Sequence, residues 1–183
     1  MSTPPVLILP GYQNSGPGHW QSLWQVERPE FHRVLQRDWV DTRRDEWVAG
    51  LDQAVRAAGA PVVVAAHSLG CVTVAHWAAG GRREIVGALL VAPPDVEHEW
   101  AADAVKNFAP IPLDPLPFPS IVVASTNDLY ADIERAQQWA RAWGSRFVSL
   151  EGAGHINSDA GYGLWPEGLA LLDELIALAA ARP

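Results

Sequence analysis

Short apolar runs alternate with longer segments of helical period along almost the whole chain. Runs of this length are typical of parallel strands that are buried on both faces of a sheet. We predict six of them, of which the second is the weakest: residues 6–9, 33–36, 62–66, 86–92, 121–125 and 147–150. The alternation predicts an α/β protein, a three-layer α/β/α sandwich of about six parallel strands with the first two side by side.

Between the predicted strands, apolar side chains recur at helical spacing. Trp20 and Trp24 share one face of the first such segment, and Trp47 and Leu51 share a face of the next, each pair being four residues apart. We interpret these aromatic side chains as core packing, with a ligand-binding stripe as the alternative. Residues 169–181 are predicted to form a last core-facing helix, which is too short to span a bilayer.

Residues 93–119 interrupt this alternation. They contain seven of the fifteen prolines and no long apolar period, so we predict a long connection across the top of the sheet, with a short helix around residues 101–108. Long structured loops in compact domains often carry function. Two interpretations of this connection stay open: a minimal lid over a site, or a rigid loop held by its prolines.

Length, charge and cysteine content limit the classes of function. At 183 residues the chain fits one domain, residues 1–183, and its formal charge of −8 without a run of Lys or Arg argues against nucleic acid as a partner. Cys71 is the one cysteine, so it cannot form an internal disulfide, and we interpret it as a small buried side chain. The N-terminus lacks the pattern of a signal peptide. We therefore expect a cytoplasmic protein without a membrane partner.

Residues 66–70, with the sequence Ala-His-Ser-Leu-Gly, follow a predicted buried strand and precede a predicted helix. A serine at such a junction lies in a turn so tight that only small side chains fit two residues away, as Ala66 and Gly70 do. The turn exposes the hydroxyl above the sheet and directs the free N–H groups of the helix toward the group it attacks. Ser68 is therefore the predicted nucleophile, and an ordinary strand-to-helix turn is the alternative.

A serine hydroxyl needs a base that titrates near neutral pH and a carboxylate that orients this base. Of the six histidines, His155 is the candidate base because it lies in a glycine-containing turn after the last predicted strand. Asp128 is the candidate carboxylate because it follows the fifth predicted strand, with helix capping as its alternative role. Open α/β sheets place active sites at these carboxyl ends of strands. The order Ser, Asp, His is that of α/β-hydrolases.

Acyl transfer also needs N–H donors for the developing oxyanion. The predicted donors are the backbone amides of Leu69, which follows the nucleophile, and of Tyr12, in a loop where Gly11 allows a sharp turn. The glycines of this loop match neither a P-loop nor a dinucleotide-binding motif, so we expect no cofactor, and we expect no metal. His19 is the one other histidine expected near the site. The weaker predictions for the wall of the substrate pocket are Tyr12, His67, Trp100 and Phe108.

Several motifs together resemble one family. They are Leu-Pro-Gly-Tyr at 9–12 with His-Trp at 19–20, Ala-His-Ser-Leu-Gly at 66–70, Ala-Ser-Thr-Asn-Asp-Leu-Tyr at 124–130, Gly-His-Ile-Asn at 154–157 and Trp-Pro-Glu-Gly at 165–168. Over nearly the whole chain the sequence resembles the small serine hydrolases of the retinoblastoma-binding protein 9 / YdeN family. The resemblance implies a minimal α/β-hydrolase fold without a cap domain, with Ser68, Asp128 and His155 as the triad. Leu129 stands where the family's Asn-Asp-Pro-Tyr form has proline.

These observations predict an enzyme that hydrolyses a small ester, thioester or amide through an acyl-enzyme on Ser68. The expected partner is this small-molecule substrate, and the sequence indicates no particular protein partner. Two alternatives stay open. A binding protein could keep the scaffold without the chemistry, and an acyltransferase would use the same catalytic residues with a different acceptor.

Overall fold

A computed structural model describes residues 3–181. The chain folds around one parallel sheet of six strands. The strands are β1 (Val6–Leu9), β2 (Phe31–Arg33), β3 (Val62–His67), β4 (Ile85–Val91), β5 (Ser120–Ser125) and β6 (Arg146–Leu150). Their order across the sheet is β2-β1-β3-β4-β5-β6. All carboxyl ends therefore meet at one edge, with β3, which leads to residue 68, in the middle between β1 and β4.

Helices cover both faces of the sheet. They are α1 (Trp20–Glu27), α2 (Arg44–Ala57), α3 (Leu69–Ala79), α4 (Asp103–Lys106), α5 (Ile133–Trp143) and α6 (Pro166–Ala180), with a 3₁₀ helix at Ser158–Ala160. Buried side chains of α2, α3 and α5 form one core with the sheet, and those of α1 and α6 form a second core on the opposite face. The predicted three-layer sandwich is confirmed, and the first two strands are neighbours as expected. No helix within residues 3–181 combines the length and the apolar character needed to cross a membrane.

The second strand lies earlier in the chain than predicted. β2 ends at Arg33, where the predicted segment 33–36 begins. Phe31 supplies its buried side chain and pairs in register with Val6 of β1, whereas Leu35 is exposed. This edge strand is short and buries only one side chain. One apolar residue forms no recognisable pattern, so the position of the strand could not be predicted from the sequence. Helix α4 is likewise shorter than the predicted segment 101–108.

The aromatic faces of the predicted helices pack in the core, as interpreted. Trp20, Trp24 and Trp47 are fully buried, whereas Trp100 in the proline-rich connection is 49% exposed. Cys71 is also fully buried, and this burial raises the pKa of its thiol far above the usual value. The thiol therefore stays neutral and packs as a small apolar side chain, which confirms the interpretation from the sequence.

The proline-rich connection, residues 93–119, is bonded to the helices beneath it. The ring of His76 on α3 donates from Nε2 to the Phe108 carbonyl at 2.7 Å. The indole of Trp143 on α5 donates to the Pro112 carbonyl at 2.8 Å. These two bonds fasten the middle of the connection to two different helices. Both interpretations of the connection, a minimal lid and a rigid loop, stay predictions.

Candidate active site

The chain reverses sharply at Ser68, between β3 and α3. Its backbone has φ 54° and ψ −126°, and such a conformation costs a non-glycine residue about 1–3 kcal/mol. The Ser68 N–H donates to the Val91 carbonyl at 2.9 Å, and the Ser68 carbonyl accepts from the Cys71 N–H at 2.8 Å. A Cβ at Gly70 would lie 2.6 Å from the Leu9 carbonyl oxygen, so this position requires glycine. The turn has the strand-turn-helix form of a nucleophile elbow.

The loop after β1 approaches this elbow closely at Gly11. A Cβ on Gly11 would lie 2.6 Å from the Ser68 Cβ and 3.1 Å from the Leu69 nitrogen, so no larger residue fits there. This contact brings the next residue, Tyr12, beside the first amide of α3. Neither the Tyr12 N–H nor the Leu69 N–H has a hydrogen-bond acceptor within residues 3–181. Both predicted oxyanion donors are therefore available to a ligand.

Ser68, His155 and Asp128 form a continuous hydrogen-bonded row. The Nε2 of His155 lies 2.9 Å from the Ser68 Oγ, and its Nδ1 lies 2.9 Å and 3.0 Å from the carboxylate oxygens of Asp128. A neutral His155 that donates from Nδ1 to Asp128 accepts the serine hydroxyl at Nε2, as general-base activation requires. Asp128 is not a helix cap, because the N-cap of α5 is Asp132.

The turn that carries Asp128 is closed by this carboxylate itself. Its Oδ1 accepts a hydrogen bond from the Tyr130 N–H at 2.9 Å, as in an Asx turn. Leu129, which departs from the motif of the resemblance, is 83% exposed. The Tyr130 ring lies 4.5 Å from the His155 ring, measured between centroids. The leucine therefore faces solvent and leaves the row intact.

Three hydrogen bonds join the two loops that carry the acid and the histidine. Side-chain oxygens of Ser125, Thr126 and Asn127 accept from the backbone N–H groups of residues 153, 152 and 154, at 2.8, 3.0 and 2.7 Å respectively. The Asn127 Oδ1 also accepts from the Ser125 hydroxyl at 2.8 Å, which fixes the orientation of the amide. Because Asp128 and His155 follow these bonded residues directly, we infer that the three inter-loop hydrogen bonds control the distance between them.

Two further histidines, His19 and His67, pack behind the row. The centroids of their rings are 4.6 Å apart, and the His67 ring lies 4.8 Å from that of His155. His67 donates from Nε2 to the backbone carbonyl of His155 at 2.9 Å. Burial, ahead of the charges of Arg33 and His155, lowers the pKa of His19 to about 4, and burial also holds the pKa of His67 well below its usual value. Although three imidazoles meet here, no group of His, Cys, Asp and Glu within residues 3–181 is arranged to hold a metal ion.

The hydrogen-bonded row opens into a cavity of about 500 Å³. Of the residues predicted for its wall, Tyr12, His67 and Trp100 line it. Phe108 does not, because its side chain is fully buried beneath the connection, where its ring meets that of Trp47 edge-on with centroids 5.8 Å apart. The prediction for Phe108 is therefore wrong: the connection turns this ring into the core and away from the sheet edge.

The rest of the cavity wall was not identified from the sequence. Its members are Gln13, Asn14, Gly16 and His19 after β1, Pro94, Asp95, Ala101, Ala102 and Val105 in the connection, Tyr130 after β5, and Asn157, Ser158 and Asp159 after β6. All of them lie in segments that follow the carboxyl end of a strand, which is the signal that could have found them. Only His19 was expected near the site.

The strand order, the strained serine after the central strand, and the acid and histidine after the last two strands define an α/β-hydrolase. The profile of the serine hydrolase family matches residues 6–174, and the chain belongs to this family. The protein is thus a hydrolase, as the sequence predicts.

Several solved hydrolase structures are similar to this chain. A YdeN-like hydrolase from Pectobacterium atrosepticum is 34% identical, with a TM-score of 0.86 over 95% of this chain and 91% of its own. The ydeN product of B. subtilis is 18% identical, with a TM-score of 0.72 over 96% of this chain and 100% of its own. Est1E from Butyrivibrio proteoclasticus is 16% identical, with a TM-score of 0.74 over 99% of this chain and 90% of its own. The latter two share the fold. Comparison with curated protein sequences gives no match. The resemblance to YdeN-like hydrolases is confirmed.

Proposed function

We propose that this protein hydrolyses small esters, thioesters or amides with Ser68 as nucleophile, His155 as general base and Asp128 as the carboxylate that orients the base. The observation that carries the proposal is the row from Ser68 Oγ through His155 to Asp128, with 2.9 Å at each of its two junctions, at an open cavity. Membership of the serine hydrolase family supports the same chemistry.

Acylation forms a bond between the Ser68 Oγ and the substrate carbonyl carbon while His155 Nε2 removes the hydroxyl proton. The carbonyl oxygen becomes an oxyanion that accepts hydrogen bonds from the amides of Tyr12 and Leu69. Asp128 stabilises the imidazolium formed on His155. The bond to the leaving alcohol, thiol or amine then breaks, and this group departs with the proton from His155 Nε2.

Deacylation reverses these roles with water. His155 Nε2 removes a proton from the water molecule as its oxygen bonds to the acyl carbon. Collapse of the second tetrahedral intermediate breaks the bond to Ser68, which recovers its proton from His155. The carboxylic acid is released and the enzyme returns to its starting state. Each proton taken by His155 is therefore given up again within the same half-reaction.

Labelling with a fluorophosphonate probe tests the proposal. The natural protein is compared with Ser68→Ala, His155→Ala and Ser149→Ala, the last removing an exposed serine of β6 as a matched control. We expect no label on Ser68→Ala, labelling slowed by at least about 10²-fold in His155→Ala, and normal labelling of Ser149→Ala. Circular dichroism and thermal unfolding establish that each variant is folded. A folded natural protein that labels no faster than Ser68→Ala contradicts the proposal and favours a binding protein.

A further inference from the structure

The cavity has two chemically different halves, which lie over the two faces of the sheet. Over the core formed by α2, α3 and α5, the wall comes from the connection and is mainly apolar, with Trp100, Ala101 and Val105; the one carboxylate there, Asp95, is paired with Arg135. Ala101 is buried, and Val105 packs directly on that core. Over the opposite core, the wall consists of residues 157–159, which are Asn, Ser and Asp and follow the buried Ile156. A ligand that fills the cavity therefore contacts apolar groups at one end and polar groups at the other.

The positions of the catalytic groups determine which part of the substrate lies in each half of the cavity. The leaving group must lie within hydrogen-bond reach of His155 Nε2, because that atom returns the proton to it. Residues 157–159 follow His155 in the same loop, so the leaving group meets the polar half. The oxyanion is directed toward the amides of Tyr12 and Leu69. The apolar half is thus left for the substituent of the acyl group.

Charge further restricts the leaving group. Among the described residues that line the cavity there is no lysine or arginine, and burial keeps His19 and His67 uncharged at neutral pH. Of the two carboxylates in the wall, Asp95 pairs with Arg135 at 3.2 Å. Asp159 is exposed and has no ion-pair partner within residues 3–181. Arg33 donates to the Oδ1 of the wall residue Asn14 at 2.9 Å but does not itself line the cavity. An anion bound here would therefore lose hydration without direct contact with a cation, and it would be repelled by Asp159.

We infer that the site selects acyl compounds that join an apolar acyl chain to a neutral or cationic leaving group, and that it discriminates against anionic leaving groups. The inference rests on the proposed function, and bonds form and break as described there. A cavity of about 500 Å³ lies within the range of small-molecule sites, so an acyl chain of several carbons fits together with a small alcohol.

Esters of one acid with alcohols of similar shape test the selection by charge. Butyrate esters of choline, of its uncharged carbon analogue 3,3-dimethylbutanol and of the anionic 2-hydroxyethanesulfonate differ mainly in the charge of the leaving group. Release of acid is followed in a pH-stat at pH 7.5. We expect kcat/KM to be at least about tenfold lower for the anionic ester than for the neutral one, because the cavity wall offers the repulsive charge of Asp159 and no lysine or arginine. The choline ester should react at least as fast as the neutral ester.

Reversal of the charge in the polar half shows where the selection arises. In Asp159→Lys, the ratio of kcat/KM for the choline ester to that for the sulfonate ester should fall by at least about tenfold. Glu151→Lys makes the same change in net charge at an exposed residue outside the cavity, and its ratio should stay as in the natural protein. A ratio that changes equally in both variants overturns the assignment to residues 157–159.

The acyl half is tested with one alcohol and two acids. The choline esters of butyrate and of succinate share the leaving group, but the succinate monoester carries a carboxylate on its acyl chain. We expect the butyrate ester to be preferred by at least about tenfold, because no cation in the apolar half pairs with the carboxylate. Equal rates for all esters overturn the inference and leave the proposed function standing. Absence of hydrolysis of every ester together with an unlabelled Ser68 overturns both.

Discussion

Acidification should destabilise this protein through a histidine that takes no part in the proposed chemistry. Burial, ahead of nearby charges, lowers the pKa of His19 from the usual 6.5 to about 4. In the unfolded chain this imidazole binds a proton as the pH falls through 6.5, whereas in the folded protein it stays neutral until about pH 4. The unfolded state therefore binds more protons across this window, and the free energy of unfolding falls with the pH. Above pH 7 both states are neutral and the effect is absent.

The size of the effect follows from the two pKa values. The difference between the usual 6.5 and about 4 for His19 corresponds to about 3 kcal/mol of stability, lost progressively between these pH values. His67 adds to the loss, because burial shifts its pKa in the same direction. A typical domain is stable by only about 5–15 kcal/mol, so the protein should be markedly easier to unfold at pH 4.5 than at pH 7.

Urea unfolding at half-unit steps from pH 4.5 to 7.5 measures this dependence. In His19→Asn, the new side chain keeps the N-cap acceptor that His19 Nδ1 offers to the Gln21 N–H of α1, but it does not titrate. Within the window its unfolding free energy should change by about 1.4 kcal/mol less per pH unit than that of the natural protein. His32→Gln, at an exposed position of β2, serves as the control and should keep the natural slope. Identical slopes for His19→Asn and the natural protein would refute the reasoning.

Two further predictions concern the positioning of the catalytic groups. Asn127→Leu removes the acceptor for the Gly154 N–H, so kcat for ester hydrolysis should fall by about 10–100-fold with KM little changed. Asn127→Asp keeps an acceptor and should restore most of the rate, and equal rates in the two variants would rule out the positioning role. Gly11→Ala places a methyl group 2.6 Å from the Ser68 Cβ, so kcat should fall by at least about 10²-fold. Gly163→Ala, whose new methyl group would lie 3.8 Å from its nearest neighbour, should retain the natural rate, and an unimpaired Gly11→Ala would show that the loop can shift.

The sequence predicts the site best where chemistry and topology limit the choice. Ser68, Asp128 and His155 each follow a strand, and the carboxyl ends of parallel strands must meet at one edge. The position of these carboxyl ends follows from the order of strands and helices alone, so it can be predicted without knowing how the loops pack. The hydrogen-bonded row joins the predicted residues for this reason. The same rule brings together the two predicted oxyanion donors, Tyr12 in the loop after β1 and Leu69 at the start of α3.

The wall of the cavity could not be predicted as well, because it depends on how each loop folds back over the sheet. Phe108 and Trp100 lie in the same connection, and both are large aromatic residues without a periodic pattern around them. One is fully buried and the other is 49% exposed. The difference arises from packing against Trp47 of α2, a contact between residues far apart in the chain. Local pattern carries no information about such a contact.

Of the three adjacent imidazoles, the structure favours a positive charge on only one, that of His155. His67 must carry its hydrogen on Nε2, because it donates there to the carbonyl of His155. His19 accepts at Nδ1 from a backbone N–H and so carries its hydrogen on Nε2. Both rings are held neutral by burial, and of the three only His155 is hydrogen-bonded to a carboxylate, that of Asp128. In the proposed mechanism, the proton released by Ser68 therefore goes to the one imidazole whose positive charge is stabilised, while the other two support this ring without competing for its proton.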